Sequence, residues 1–417
     1  MSNLVDRLKP RVAKYGPVVI ATVASQGFTA LSLLALTLLG LGISDIYIVA
    51  LQAGNGAFTG VVLGVIYPLA LGRPNLNLWR PIAVATSLFQ IVFSIGSYWI
   101  YVDHGGPPEL APATVATIFA AFGLGGAALS SIGVYAVRSA LAGQPIFLAT
   151  ATLPSNAVLI VSVLVVSLVP VARPILPIAP AVIWCVTTIV TAAVLYWRYV
   201  APETRGKIEF SISRYKAAII HTLVLLTGVF SSTVIPTIYI TAMSHLVTGT
   251  ATFIFIASRI GNAIIGLLIN SVILVNYRWS GVGRKMSSLI PLPTITSAVT
   301  LSAAVAISAH APKFIIYFMV FIAWVSALAA QPVATSEINS QKRHWTLALK
   351  VAIDSCCSLA SAYFLLHHPS VTGFFAVNTI SQLITLAIFG EALKSRATVA
   401  AAVIGLFGAV FFLVNGQ

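Results

Sequence analysis

Charged side chains are rare in this chain, and a few of them lie where a charge is costly to keep. Only 8% of the 417 residues are charged, and an ionisable residue inside a long apolar stretch is by default a candidate for function. Arg259 lies roughly 16 Å along the apolar stretch 248–276, at about 1.5 Å per helical residue. A guanidinium group binds phosphate oxygens through paired hydrogen bonds, so Arg259 suits an anionic ligand such as a phosphate or pyrophosphate. The alternative is a structural arginine that donates to carbonyl groups of a neighbouring helix.

A second candidate site combines two opposite charges. Lys350 and Asp354 are four residues apart in an apolar stretch and therefore share one helix face. They form either an intrahelical pair that neutralises itself or an ion- or proton-coupling site, because protonation of Asp354 would release Lys350. His221, in another apolar stretch, is either a proton acceptor or a hydrogen-bonded structural histidine.

Uncharged polar side chains also fall inside the apolar stretches. Each either bonds a neighbouring helix or lines a cavity. As cavity-lining candidates beside Arg259 we single out Gln26, Gln52, Asn55 and Asn262.

The sequence offers little support for an enzyme. It contains no phosphate-binding P-loop, no HExxH helix and no cluster of Cys and His with metal-ligand spacing. The three cysteines lie inside apolar stretches, where they are typical of small core residues. Only nine acidic residues exist, and those predicted in outer loops, Asp45, Asp103 and Glu109, are too scattered for a glycosyltransferase site. We therefore predict a protein that is not an enzyme, with no catalytic residue, no metal site and no cofactor.

These side chains must be positioned by membrane-spanning helices. Hydrophobic residues make up 59% of the chain and the mean hydropathy is +0.99, whereas a soluble domain has roughly 25% charged residues. The apolar runs exceed the ~20 residues that a helix needs to cross the bilayer, so we predict an all-α polytopic integral membrane protein. The thirteen predicted spans are 17–40, 46–72, 81–102, 112–137, 145–170, 174–197, 217–243, 248–276, 287–309, 313–335, 345–366, 371–391 and 397–414.

The distribution of Lys and Arg predicts the orientation. With the N-terminus in the cytoplasm, nineteen of the 23 basic residues fall on the inner side of these spans, as the positive-inside rule requires. The net charge of +14 therefore reflects the orientation of the chain in the membrane. Because the basic residues are spread over short loops, this charge does not favour nucleic-acid binding. We expect a monomer in the inner (plasma) membrane of a cell, surrounded by membrane lipids.

A weak internal repeat predicts two lobes. The long charged loop 198–216 follows the sixth span, and an offset of 207 residues places Asn55 on Asn262 and Gln52 opposite Arg259. Six spans per half would make the repeats parallel, as in two-lobed transporters. The predicted domains are an N-terminal lobe of six helices (1–198), a cytoplasmic linker (199–216), a C-terminal lobe of six helices (217–391) and an extra thirteenth helix (392–417).

Two segments carry a family resemblance. Ala257-Ser258-Arg259-Ile260, followed by Gly266-Leu267-Leu268, resembles the eighth helix of lipid II flippases. Ser25-Gln26-Gly27 through Ser44-Asp45-Ile46-Tyr47 is similar to the first two helices of polysaccharide (O-antigen type) flippases. Both groups belong to the multidrug/oligosaccharidyl-lipid/polysaccharide exporter superfamily, which has two six-helix lobes and twelve to fourteen spans.

The resemblance implies a V-shaped cavity lined by spans 1, 2, 7 and 8. It also implies a flippase that carries a polyprenyl-diphosphate-linked glycan to the outer leaflet by alternating access. We expect a coupling ion, H⁺ or Na⁺, or the membrane potential to drive transport. The departures at Leu38–Gly42 and Asn276–Arg278 favour a glycan other than lipid II. The alternatives are a drug or metabolite exporter of the multidrug-extrusion or major-facilitator type, a membrane-embedded glycosyltransferase or ligase, and a scaffold or regulator that does not transport.

Overall fold

The computed structural model describes residues 20–21, 24–25, 27–66, 79–103, 110–141, 147, 150–168, 177–197, 235–244, 246, 248–265, 286–340 and 344–415. Every regular element within these ranges is helical. In chain order the helices are α1 (Gly27–Leu39), α2 (Leu41–Gly54), α3 (Trp79–Asp103), α4 (Pro112–Leu141), α5 (Leu153–Leu168), α6 (Ala179–Leu195), α7 (Ile235–Ser244), α8 (Thr250–Ile264), α9 (Pro291–Ile307), α10 (Lys313–Ser340), α11 (His344–His367), α12 (Val371–Ala392) and α13 (Arg396–Asn415).

Several of the described helices have the length and composition of membrane spans. Six of them, α3, α4 and α10 to α13, are long and apolar enough to cross a bilayer, and six others are shorter apolar helices of 10–17 residues. Large apolar side chains such as Val92, Leu168 and Phe407 are 68%, 78% and 76% exposed, a pattern suited to lipid and costly in water. The predicted all-α multi-pass membrane architecture is confirmed.

The chain divides into two compact units, Met1–Thr237 with Val247–Ile256, and Ile238–Leu246 with Ala257–Gln417. The first unit is organised around α4, which packs against α2, α3 and α6. Glycines make these contacts close: a Cβ atom on Gly126 would collide with the carbonyl oxygen of Gly54 in α2, and one on Gly125 would collide with Trp184 in α6. Small residues have this role in membrane helices because association there depends on close packing.

The second predicted span differs from the expected single helix over 46–72. The α-helix ends at Gly54, and a π-helical segment, Ala57–Ile66, follows it. π-helical geometry is rare and usually lasts for one turn. A run of apolar residues does not distinguish it from α-helical geometry. Residues 67–72 lie outside the described residues.

The second unit contains α9 to α13. The thirteenth helix is part of its core, because α13 packs against both α9 and α12. A Cβ atom on Gly408 would lie 3.0 Å from the Leu301 side chain of α9, and one on Gly405 would lie 2.8 Å from Leu383 of α12. Helix α10 runs to Ser340, beyond the predicted end at 335, and contains Pro332.

Candidate functional site

Arg259 lies in the second half of α8. It is nine residues after the first residue of the helix, about 14 Å along the axis. Gly261 packs against Trp324 and Val325 of α10, and Arg259 lies about 200° around the helix from Gly261 at 100° per residue. The arginine therefore lies on the side of α8 that faces away from α10, and its side chain is half-buried.

The other predicted cavity residues fall in different parts of the chain. Gln52, which is 8% exposed, and Asn55 lie three residues apart at the end of α2, so they share a face. Asn262 is in α8, but its side chain lies outside the described part of the chain, as do Gln26 and His221. Gln52 and Asn55 belong to the first unit and Arg259 to the second.

The structure corrects the placement of Asp45. The sequence predicts an outer loop at this residue, but Asp45 lies near the start of α2 and is 0% exposed. Its carboxylate accepts three hydrogen bonds from the beginning of α8, all within the first unit. The Gly249 amide donates at 2.7 Å, the Thr252 amide at 2.8 Å and the Thr252 hydroxyl at 2.6 Å.

These hydrogen bonds explain how a carboxylate is kept inside an apolar protein. The first amide groups of a helix lack partners within the helix and carry a partial positive charge. Gly249 precedes α8 with φ +94°, and a Cβ atom there would lie 3.1 Å from Leu41 of α2. A glycine has no side chain with which to cap its own helix, so Asp45 supplies the cap from α2. The contact fastens the beginnings of α2 and α8 together.

Two of the three coupling candidates, Lys350 and Asp354, form an ion pair in the second unit. Lys350 Nζ lies 2.5 Å from Asp354 Oδ2, and the side chains are 24% and 22% exposed. The other carboxylate oxygen accepts a hydrogen bond of 2.8 Å from the Thr385 hydroxyl of α12. Thr385 is 0% exposed. Asp354 therefore joins α11 to α12 and also holds the ammonium group of Lys350.

Sequence reasoning missed Thr385 and the burial of Asp45. It also missed Gln90 of α3, whose buried side-chain amide bonds the main chain at Ala53 and Ala57. Threonine and glutamine are common polar residues of membrane helices, and their spacing along the chain does not show what they bond. For Asp45 a signal existed, because it follows Ser44 immediately before a long apolar run. Ser44 donates to the carbonyl oxygens of Leu36 and Gly40, so the Ser-Asp pair organises the connection from α1 to α2.

The fold is similar to that of a solved flippase structure, and two further structures align with the chain at lower TM-scores. A structure described as the lipid II flippase MurJ in an inward closed conformation aligns with 95% of this chain and 92% of its own, with a TM-score of 0.59 and 14% identity. A multidrug resistance MATE family transporter of the MOP superfamily, inward-facing, aligns over 96% and 94% with a TM-score of 0.37 and 12% identity. A MATE structure in the bent conformation aligns over 97% and 88% with a TM-score of 0.33 and 14% identity. Comparisons with family models and with curated protein sequences give no match. The flippase-like fold implied by the resemblance is confirmed by the first of these structures.

Proposed function

We propose that this chain, which shares the fold of a lipid II flippase, is a flippase for a polyprenyl-diphosphate-linked glycan. It moves the headgroup from the cytoplasmic to the outer leaflet by alternating access, and it lies in the inner membrane with its N-terminus in the cytoplasm. The observation that carries the proposal is the similarity of fold over 95% of the chain. A shared fold does not identify a substrate, so the cargo is inferred from the chemistry of the site.

Arg259 supplies that chemistry. It is a cation well inside an apolar helix, on the face away from α10. Such a residue is retained when it serves a substrate or ion pathway. Its planar donors match the oxygens of a diphosphate, which every polyprenyl-linked glycan carries whatever its sugar. Arg259 would hold the diphosphate while the polyprenyl tail stays in lipid.

The contact at Asp45 supports alternating access. It fastens α2 to the beginning of α8, at the ends that the Lys and Arg distribution places outside. Release of a glycan headgroup to that side would require these hydrogen bonds to break. We therefore assign Asp45 the role of a fastener that opens and closes during transport.

The Lys350–Asp354 pair is the proposed coupling site. Protonation of Asp354, or binding of a cation beside it, would weaken its hold on Lys350 and on Thr385. The contact between α11 and α12 would then depend on the ion gradient or on the membrane potential.

The proposal is tested by depleting the protein and measuring which leaflet holds the lipid-linked glycan. Depletion should leave the glycan in the cytoplasmic leaflet, protected from a membrane-impermeant glycosidase added outside. The parent gene should restore access, whereas Arg259→Ala should not. Arg259→Lys keeps the charge but loses the paired donor geometry, so it should restore access only in part.

Arg396→Ala is the matched control, because Arg396 begins α13 and is exposed. It should behave like the parent. Full activity of Arg259→Ala at normal protein levels would contradict the role of Arg259. If depletion leaves the leaflet distribution of the glycan unchanged but abolishes efflux of small cationic compounds, the protein is a drug exporter and not a flippase.

A further inference from the structure

The side chain of Gln90 in α3 interrupts the second span. It is 0% exposed and makes three hydrogen bonds. Its Nε2 donates to the carbonyl oxygen of Ala53 at 2.7 Å and to the Ser94 hydroxyl at 2.8 Å, and its Oε1 accepts from the amide of Ala57 at 2.8 Å. The two main-chain groups lie on opposite sides of the break at residues 54–56.

These two groups are partners in a continuous helix. In an α-helix the amide of residue i donates to the carbonyl of residue i−4, so the amide of Ala57 would donate to Ala53. Here the Gln90 amide lies between them and bonds both. A side chain inserted in the helical hydrogen-bond ladder is a recognised cause of a kink, and it explains why α-helical geometry stops at Gly54.

The Ala53 carbonyl and the Ala57 amide each have a hydrogen-bond partner whether or not Gln90 is inserted between them. With Gln90 inserted, the span is broken and both groups bond the side chain. With Gln90 withdrawn, Ala57 can bond Ala53 directly and the span continues as an α-helix. A buried backbone group without a hydrogen-bond partner is costly, so an arrangement in which both groups are bonded in either state is suited to switching.

A purely structural role is the alternative for Gln90. Gln331 of α10 illustrates it: its Nε2 donates to the carbonyl oxygen of Gln382 at 3.0 Å, a contact between two helices that replaces no ladder bond. Gln90 differs because it bonds Ala53 and Ala57, whose main-chain groups would bond each other in a continuous α-helix. The break also lies beside Gln52 and Asn55. A change between the broken and the straight span would therefore change the orientation of these two residues.

We propose that Gln90 is a positioning residue that sets a two-state hinge in the second span. With its amide inserted between Ala53 and Ala57 the span is broken, and with its amide withdrawn the span is straight. The inference does not depend on the identity of the cargo or on the role of Arg259.

The test measures the shape of the span by pulsed electron paramagnetic resonance. Spin labels are placed at Leu41 and Val61, in the full chain with its three native cysteines replaced, reconstituted in lipid nanodiscs. In a straight helix these positions are about 30 Å apart, which is within range of the method. Gln90→Leu should shift the main distance by several ångströms, whereas the control Gln331→Leu should not.

Ala57→Pro supplies the second arm. Proline has no amide hydrogen and cannot complete the helix, so this variant should keep the parent's broken-span distance. In the Ala57→Pro background, Gln90→Leu should no longer shift the distance. An unchanged distance in Gln90→Leu would overturn the proposal, as would an equal shift in both backgrounds. If Gln90→Leu does not fold, a shifted distance in Ala57→Pro alone would overturn it.

Discussion

The carboxylate of Asp45 is held by the N-terminus of α8. Side chains that cap a helix contribute about 0.5–2 kcal/mol, and every 1.4 kcal/mol changes an equilibrium tenfold. A contact of this size can keep two helix ends together and still break during a transport cycle. A carboxylate suits the task because it accepts several amide hydrogens and carries the charge that a helix N-terminus favours.

Asp45→Ala should therefore favour the state that is open at this end. The expected effect is a shift of about two- to thirty-fold in the open-to-closed ratio, from the energies of a helix cap. It is measured as the rate at which a membrane-impermeant maleimide labels Gln52→Cys from outside, in a chain without its native cysteines. Asp103→Ala is the control, since Asp103 is exposed at the end of α3. Equal labelling rates in the two variants would refute the role of Asp45.

The Lys350–Asp354 pair predicts non-additive effects of substitution. Removing one partner leaves the other charge in an apolar helix, whereas removing both leaves none. Lys350→Met or Asp354→Leu alone should lower the free energy of unfolding by about 1–3 kcal/mol, below the 3–5 kcal/mol of fully buried pairs because both side chains are about one quarter exposed. The double variant should recover most of this loss in a denaturation experiment.

Transport by the double variant separates a structural pair from a coupling site. If the pair couples transport to an ion gradient, the double variant should be folded yet insensitive to that gradient. A double variant that responds to the gradient as the parent does would leave the pair a structural role alone.

At the level of elements, the glycines of α4 predict where added volume is tolerated. Gly126→Ala should prevent normal folding, because its methyl group would overlap the carbonyl oxygen of Gly54 and backbone cannot move aside as a flexible side chain can. Gly96→Ala in α3 is the control, since no atom lies within 4 Å of its Cβ position. We expect it to be neutral or stabilising by up to about 1 kcal/mol. Fluorescence-detected size-exclusion chromatography and thermal unfolding compare the two.

Hydropathy located the spans well but could not describe their interiors. The apolar stretch 46–72 predicts one helix, because apolar residues favour α- and π-helical geometry alike. At the break, Gln90 accepts a hydrogen bond from the Ala57 amide and donates one to the Ala53 carbonyl oxygen, 33 and 37 residues away along the chain. No local pattern reports a contact of that kind. Lys350 and Asp354 were recognisable because their spacing of four fits one helix face.

At the level of the whole molecule, α13 predicts that the thirteenth span is required for folding. It packs against α9 and α12 through Gly405 and Gly408. A chain ending at residue 392 should therefore expose the apolar faces of both helices and aggregate in detergent. Phe407→Ala in the full chain is the control: Phe407 is 76% exposed, so its loss should leave the elution profile unchanged. A monodisperse truncated protein would show that α13 is an appendage.

The sequence predicted the class of architecture and left the arrangement of sites open. Long charge-free runs and the excess of Lys and Arg on the inner side are both required by the bilayer, so one sequence is enough to recognise them. The division into two six-helix lobes rests on the weak repeat at an offset of 207 residues and on the charged loop 198–216, and it stays a prediction. Ser44 and the apolar run after Asp45 were a local signal of its place in a helix, but its partners, Gly249 and Thr252, are more than 200 residues away, and composition cannot show such a pairing.

That separation has a consequence for biogenesis. Asp45 reaches its partners only after 207 further residues have been synthesised, which takes about 10–40 s at 5–20 residues per second. Until then its carboxylate lacks the amide donors that hold it in the folded protein. The ten-residue stretch Val247–Ile256 completes the first unit, so this half of the protein cannot mature on the ribosome before the other half has begun to emerge. A translational pause after the sixth span would prolong the exposure of a half-finished unit to quality-control proteases.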